Sequence, residues 1–382
     1  MDEAPVAQTR GPGAIFVRFF LLGFQSWGDS TSRLAVLFRE LVEKERWMGN
    51  LAFARAYAVY QAFPGPEALE MAVHLGYRRS GRLGGLMAGL GFSLPGFLFA
   101  VLWAAIYVRF GADAWGLQGA LYAIKPVVIA LIAYAMVKIG RASLHNDVLI
   151  HLAIASFLAS LLLPLNLVLV IFVLGGGYFL ARKNPGSSGM PAMALTPFLL
   201  GGFGLSSLIL LPVFFLEAGL LTFGGSYTVL PFIERGAVQE FGWFTHETFL
   251  DAVALCTIVP GPVVIVAAFL GFLVDGLAGA ALAGAAVLAP AFLFTLVAPR
   301  SIIRVAESPR ARDFFDGVTA AVVGLVGVTL LRLTTGAIVD VLTVAIAVLA
   351  FFAIAIRRLN AFLIVVGAGL LGILLEAAAL VP

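Results

Sequence analysis

Apolar residues run along this chain in long unbroken blocks. At least six stretches of spanning length are uncharged or nearly so, 86–108 and 148–181 among them. A block of about 20 apolar residues is what a helix needs to cross the hydrocarbon core of a bilayer. Barrel strands would alternate polar and apolar positions over about ten residues, and these blocks do not. The pattern predicts an all-α, polytopic membrane protein with roughly ten to thirteen embedded helical segments.

The breaks in the pattern organise the rest. An apolar segment over 15–27 is followed by 33–44, whose charges recur at helical spacing and predict an amphipathic helix at the membrane surface. Residues 51–77 are too polar for a lipid-facing span (Arg55, Gln61, Glu67, Glu70, His74) and too apolar for a loop. They hold Pro64-Gly65-Pro66 at their centre. Proline stops one helix and suits the first position of the next, so a helix–break–helix is expected, buried in protein or lining a cavity. Spans follow at 84–108 and 117–137, then two short ones within 148–181 turning at Pro164-Leu165-Asn166. After residues 182–194, the second half reads 195–233, 250–273 with Pro260-Gly261-Pro262 in its middle, 277–298, 317–331, 334–356 and 359–375. The expected organisation is a polar tail at 1–13, a first repeat at 14–181, a linker at 182–194 and a second repeat at 195–382.

Composition agrees. The chain is 61% hydrophobic and 12% charged, with a mean hydropathy of +1.04, against about 25% charged residues in a soluble domain. Cys256 is the only cysteine, which rules out an intrachain disulfide and a cysteine metal cluster. His74, His145, His151 and His246 have no metal-site spacing. No cleavable signal peptide is evident at the start. No Walker motif, catalytic triad or redox box is present, so no cofactor is expected, nor an ATP-driven pump, an enzyme or a nucleic-acid binder.

The two halves match each other. Gly23 and Gly219, Gly28 and Gly224, Trp47 and Trp243, and the two Pro-Gly-Pro breaks all lie 196 apart; Pro95 and Pro290 lie 195 apart, and 123–131 and 317–325 lie 194 apart. Three blocks in one order, drifting by two residues, mark a duplication. Residues 33–82 carry eight Lys/Arg, whereas 229–277 carry only Arg235 with five acids. Positive charge collects on the cytoplasmic side, so matched segments are expected on opposite sides. That is an inverted repeat, a device that places a solute site at the repeat interface among broken helices.

Helix starts at such breaks present free N–H groups and partial positive charge to anions. Each half offers two: Ser26-Trp27-Gly28-Asp29-Ser30 with Pro64–Pro66, and Thr222-Phe223-Gly224-Gly225-Ser226-Tyr227 with Pro260–Pro262. Asp29 and Glu67 put acids beside the first pair. The less acidic second pair, Gly224-Gly225-Ser226 with Thr257 and Gly261, is the favoured half of an oxyanion site, with Ser26, Gly28, Gln61, Gly65 and Thr222 completing it. Lys125, mid-span before Pro126, is either a ligand or the partner of Glu67, Asp29 or Glu217. A buried carboxylate can carry a coupling proton; Asp29, Glu67 and Glu217 are the candidates. Arg39 and Arg46 read as membrane-surface anchors.

Taken together, Gly28-Asp29, Arg39-Glu40-Leu41-Val42, Arg46-Trp47, Pro64-Gly65-Pro66-Glu67-Ala68, Gly76-Tyr77-Arg78-Arg79 and Lys125-Pro126 resemble the first half of the chromate ion transporter family. Thr222-Phe223-Gly224-Gly225-Ser226-Tyr227, Leu230-Pro231, Gly242-Trp243 and Pro260-Gly261-Pro262 resemble its second half. The resemblance covers nearly the whole chain. It implies a long-chain, two-repeat carrier in the plasma (inner) membrane that exports chromate on the membrane potential or the proton gradient, with repeats of opposed topology. Trp27 stands where the family usually has Phe, Ser30 where it has Pro, and Ser226 where it often has Gly, which bears on substrate choice more than on fold. Partners would be the oxyanion, membrane lipid and a second copy of the chain. The alternatives are a sulfate or other oxyanion carrier, a non-transporting membrane scaffold or sensor, and an intramembrane enzyme, for which no nucleophile–base pair is seen.

Overall fold

A computed structural model describes residues 11–61, 63–112, 114, 116–163, 166–181, 207–297, 308–357 and 359–380. Every element among them is helical. The first half holds α1 (Pro12–Gln25), α2 (Ser30–Leu37) running into a π-helical turn (Phe38–Lys44), α3 (Asn50–Tyr60), α4 (Glu67–Phe110), α5 (Leu117–Ser143), α6 (Asp147–Leu162) and α7 (Leu167–Ala181). The second holds α8 (Ser207–Leu220), a 3-10 turn (Ser226–Val229), α9 (Leu230–Ile233), a π-helical turn (Glu234–Glu240), α10 (His246–Thr257), a 3-10 turn (Val263–Ile265), α11 (Val266–Val297), α12 (Pro309–Ala337), α13 (Val341–Ala355) and α14 (Ala361–Ala377). Four stretches, Glu67–Phe110, Leu117–Ser143, Val263–Val297 and Ala311–Ala337, are long and apolar enough to cross a membrane, and six shorter apolar helices accompany them. The chain is a multi-pass membrane protein.

The halves repeat in detail. The two π-helical turns are 196 apart and end on matched bonds of 2.8 Å, Trp47 N–H to Leu41 O and Trp243 N–H to Ala237 O. α4 and α11 both break helical geometry, at Ser80-Gly81 and at Asp275-Gly276. Each therefore consists of a half-helix rising from a Pro-Gly-Pro break and a full span returning. The side chains of Asn146 and Asp340 accept from the N–H of Leu149 and Thr343 at the starts of α6 and α13, and those of Asn166 and Asn360 cap α7 and α14.

The crossing of α4 and α11 fixes the orientation. Gly85, Gly89 and Phe97 of α4 meet Leu296, Phe292 and Gly284 of α11, so one helix descends as the other rises. The repeat mates of Gly89 and Phe97 are Gly284 and Phe292, so the contact is its own mirror under exchange of halves. Its two-fold axis crosses the helices and lies in the membrane plane: the repeat is inverted. Partners are exchanged as well. α6 and α7 pack on α12, while α13 and α14 pack on α5.

Some boundaries differ from the sequence reading. α1 begins at Pro12, inside the expected tail, because proline suits a first helical turn. One helix, α12, runs through Thr334 to Ala337, where a new span was expected to start. The linker at 182–194 lies outside the described residues. The predicted surface helix is corrected most. Arg33, Leu34, Leu37, Leu41 and Val42 are buried, so residues 30–44 form the returning arm of a re-entrant hairpin with α1. Its far end reaches the surface, where Glu40 takes salt bridges from Lys44 at 2.7 Å and Arg18 at 3.1 Å that hold its carboxyl down at about 2. Arg39 and Arg46 are exposed there.

Candidate functional site

The breaks of opposite halves meet. Gly65 N–H, in the first Pro-Gly-Pro break, donates to Thr222 O, at the second glycine break, at 2.8 Å. The 3-10 turn Val263–Ile265 packs on the 3-10 turn Ser226–Val229, bringing the second Pro-Gly-Pro break to the same place. Gly224 and Gly225 have φ of +80° and +131°, which bends the chain sharply into the helical run 226–240. A methyl group on Gly224 would press on Ile139 and Thr319 at 3.2 and 3.3 Å, and one on Gly225 would lie 3.7 Å from Oε1 of Glu67.

The two glycine breaks differ at their helix starts. Asp29 caps α2 with its own carboxylate, accepting from Ser32 N–H at 3.0 Å and Ser32 Oγ at 2.6 Å. Gly225 provides no side-chain cap, and the hydroxyl of Ser226, 3% exposed, has no hydrogen-bond partner among the described residues. Gly28 is occupied differently again. A methyl on it would meet Asn360 Oδ1 at 2.6 Å, and Trp27 packs on Phe362 and Phe99.

Arg33 is the residue the sequence reading missed. It is 3% exposed, its Nε has no partner, and it lies in the field of Tyr227, Asp29 and Glu67. Glu67 is also buried, beside Ser30, with Oε2 unpartnered. Lys138, exposed near the end of α5, donates to Thr31 Oγ1 at 2.7 Å and acts on both Asp29 and Glu67. Gln61, exposed, donates to Tyr57 Oη at 2.6 Å. A buried guanidinium and an uncapped helix start thus face each other, with a polar mouth at Lys138, Thr31 and Gln61. The repeat held the signal for Arg33: its mate is Val229, which is fully buried.

The other predicted residues fall elsewhere or are already engaged. The hydroxyls of Ser26, Thr222 and Thr257 donate back to Leu22 O, Ala218 O and Val253 O of their own helices at 2.7–2.9 Å. Gly261 lies against the backbone of Gly96 in α4, and it is Gly96 that has no room for a side chain, since a methyl there would meet Pro260 O at 2.4 Å. Lys125 pairs with a residue the sequence reading did not name, Asp251 of α10, at 2.7 Å; Glu247 lies at 3.6 Å, and Tyr107 Oη donates to Asp251 at 2.9 Å. Glu217 lines a separate cavity with Phe214, Arg235, Glu240 and Phe241. Pro64, Pro66, Pro260 and Pro262 stand at helix ends, as their chemistry requires. Among the described residues, no group of three His, Cys, Asp or Glu could hold a metal ion.

Comparison with known proteins adds an independent line. The family model described as Chromate transporter matches residues 13–180 and again 209–373. The chain is 38% identical to the "Chromate transport protein" of Pseudomonas aeruginosa, over 94% of this chain and 91% of that one. It is 33% identical to the "Chromate transport protein" of Cupriavidus metallidurans, over 98% and 94%. A shorter relative, "Uncharacterized transporter YwrB" of Bacillus subtilis, is 31% identical over 45% of this chain and 87% of its own. No solved structure matches.

Proposed function

The chain belongs to the chromate transporter family, and on that premise we propose that it carries chromate, a divalent oxyanion, out of the cytoplasm across the plasma membrane. The oxyanion binds where the second glycine break meets the first Pro-Gly-Pro break. Arg33 supplies the charge, the N–H groups opening the 226–240 run and the Ser226 hydroxyl supply directed donors, and Gly65 lets the backbone come close. Lys138 and Gln61 guide the ion in. One observation carries this reading: two buried donors, Arg33 Nε and Ser226 Oγ, stand without partners beside a helix start that nothing caps. Buried polar groups are nearly always satisfied, and an anion would satisfy both.

Direction follows from the charges. α4 crosses from its kink to Phe110 and α5 returns, so Lys138 and Arg141 lie on the side of Arg78, Arg79 and Arg82, the basic and hence cytoplasmic side. The exposed mouth is on that side. Moving one charge across 100 mV is worth about 2.3 kcal/mol, so a dianion leaving a negative interior gains about twice that. The membrane potential suffices as the driving force.

Labelled-chromate uptake into inverted vesicles, with and without an uncoupler, tests the proposal. Uptake above that of empty vesicles, reduced by the uncoupler, is expected; none above empty vesicles removes the reading. Excess sulfate in the same assay separates a chromate carrier from a general oxyanion carrier, since the two ions share charge and shape.

A further inference from the structure

The half-helix that opens α4 carries a polar stripe that oxyanion binding does not explain. Glu67, Glu70, His74 and Arg78 succeed one another at spacings of three and four, on one face. Glu70 is fully buried and neither of its carboxylate oxygens has a hydrogen-bond partner among the described residues. Its Oε1 lies 2.8 Å from where a methyl on Gly65 would be, against the break that holds the site. One turn on, His74 Nδ1 is 2.9 Å from Tyr60 Oη of α3. Thr295 of α11, fully buried, stands beside Tyr60 and interacts with its hydroxyl. Exposure rises along the stripe, from Glu70 through the partly exposed His74 to the exposed Arg78.

The second half is the internal control. The repeat mates of Glu67, Glu70 and His74 are Val263, Val266 and Leu270; those of Tyr60 and Thr295 are Cys256 and Ala100. All five mates are buried. The same fold is thus built once with an apolar core and once with a titratable one, and the apolar version needs no partners.

We propose that Glu67, Glu70 and His74, with Tyr60 and Thr295, form a proton path confined to the first half, running from the cytoplasmic face to the oxyanion site. The eleven steps from Glu67 to Arg78 rise about 16 Å at 1.5 Å each, about half of a 30 Å hydrocarbon core. His74 takes up a proton at the cytoplasmic end and hands one to Glu70, which hands one to Glu67. His74 and Glu70 each return to their starting state, and the one proton moved rests on Glu67 until it leaves with the oxyanion on the far side. The groups facing it are Tyr57 and Tyr60 from α3, Thr295 from α11, Arg33 from α2, Lys138 from α5 and Arg78 on α4 itself, with Asp29 and Tyr227 acting on Arg33. A proton arriving on Glu67 cancels the negative charge that competes with the oxyanion for Arg33. Proton and dianion therefore bind with positive linkage, each favouring the other.

This path rests on the transport reading, and the test separates the two. The full chain is reconstituted in vesicles with the voltage clamped by potassium and an ionophore, in buffer alkaline enough to hold chromate as the dianion. Chromate flux and, with an internal pH dye, proton flux are recorded together. The readout is protons moved per chromate, which a partly folded variant does not alter. The wild type should show a fixed ratio, falling about tenfold or more in E70Q and H74Q. No chromate flux in the wild type removes the transport reading itself. Chromate flux without proton movement, or an unchanged ratio in E70Q, overturns the path alone. If both fluxes vanish in E70Q, chromate-induced thermal stabilisation decides. Retained stabilisation means obligatory coupling and supports the path; lost stabilisation makes Glu70 structural and overturns it.

Discussion

The half-helices that open α4 and α11 share a fold, a break and an ancestry, yet one is lined by Glu67, Glu70 and His74 and the other by Val263, Val266 and Leu270. Duplication makes this a controlled comparison. Whatever the apolar copy achieves, the acids are not needed for it, and the apolar copy folds, packs and ends in the same kink. The acids therefore answer to something other than the fold. The glycine breaks give the reverse contrast. There the first copy is the self-sufficient one, capped by Asp29, and the second is left open at Gly225. The two unfinished elements, one from each half, are the ones that face each other.

The largest effect is expected where the comparison has no counterpart at all. Lys125 pairs with buried Asp251, but their repeat mates are Thr319 and Arg55, which cannot make such a pair. Asp251→Asn leaves the Lys125 ammonium with only the exposed Glu247 and should cost about 3–5 kcal/mol, read as a large drop in melting temperature in detergent. An unchanged melt would make the pair incidental. Next is Arg33→Gln. Removing the buried guanidinium beside the uncapped break should weaken chromate binding about 100-fold, or about 2.8 kcal/mol, with little change in the melt. Affinity within a factor of two of wild type would move the site elsewhere.

Glu70→Val copies the second half into the first. Burying a polar group without a partner costs about 1–3 kcal/mol, so this change should raise thermal stability while abolishing proton movement. A fall in stability would show that Glu70 supports the fold after all. The smallest effect is expected for Ser226→Ala. Losing one donor should weaken chromate binding about five- to tenfold, near 1–1.4 kcal/mol, with stability unchanged. Strengthened binding would put the hydroxyl outside the site.

Much of this architecture was legible in the chain because membrane physics leaves long marks. Spans need unbroken apolar blocks, breaks need Gly and Pro, and a duplication repeats both at one offset. What was not legible depended on which element packs on which. The charges of 33–44 have helical spacing whether that helix lies on the membrane or inside the protein. Only its neighbours Tyr227 and Glu67 put Arg33 inside. Lys125 was sought beside acids of the breaks, but its partner sits on α10, brought near by the exchange of helices between halves. Thr222 and Thr257 read as donors from their positions, yet each spends its proton on the helix it ends. Glu70 was visible as an acid in a first turn, a place acids often occupy for the dipole alone. That it has no partner is a property of the packed interior.

The exchange of helices also bears on how the chain is made. Among the described residues, α6 and α7 find their main packing partner in α12, late in the second half. At 5–20 residues per second, translation from the end of α7 to the end of α12 takes roughly ten to thirty seconds. For that interval the nascent first half sits in the bilayer with its partner surface turned to lipid or to the insertion machinery. Assembly therefore waits on the ribosome, and synonymous changes that slow translation between the halves should lower yield with no change in the protein's sequence.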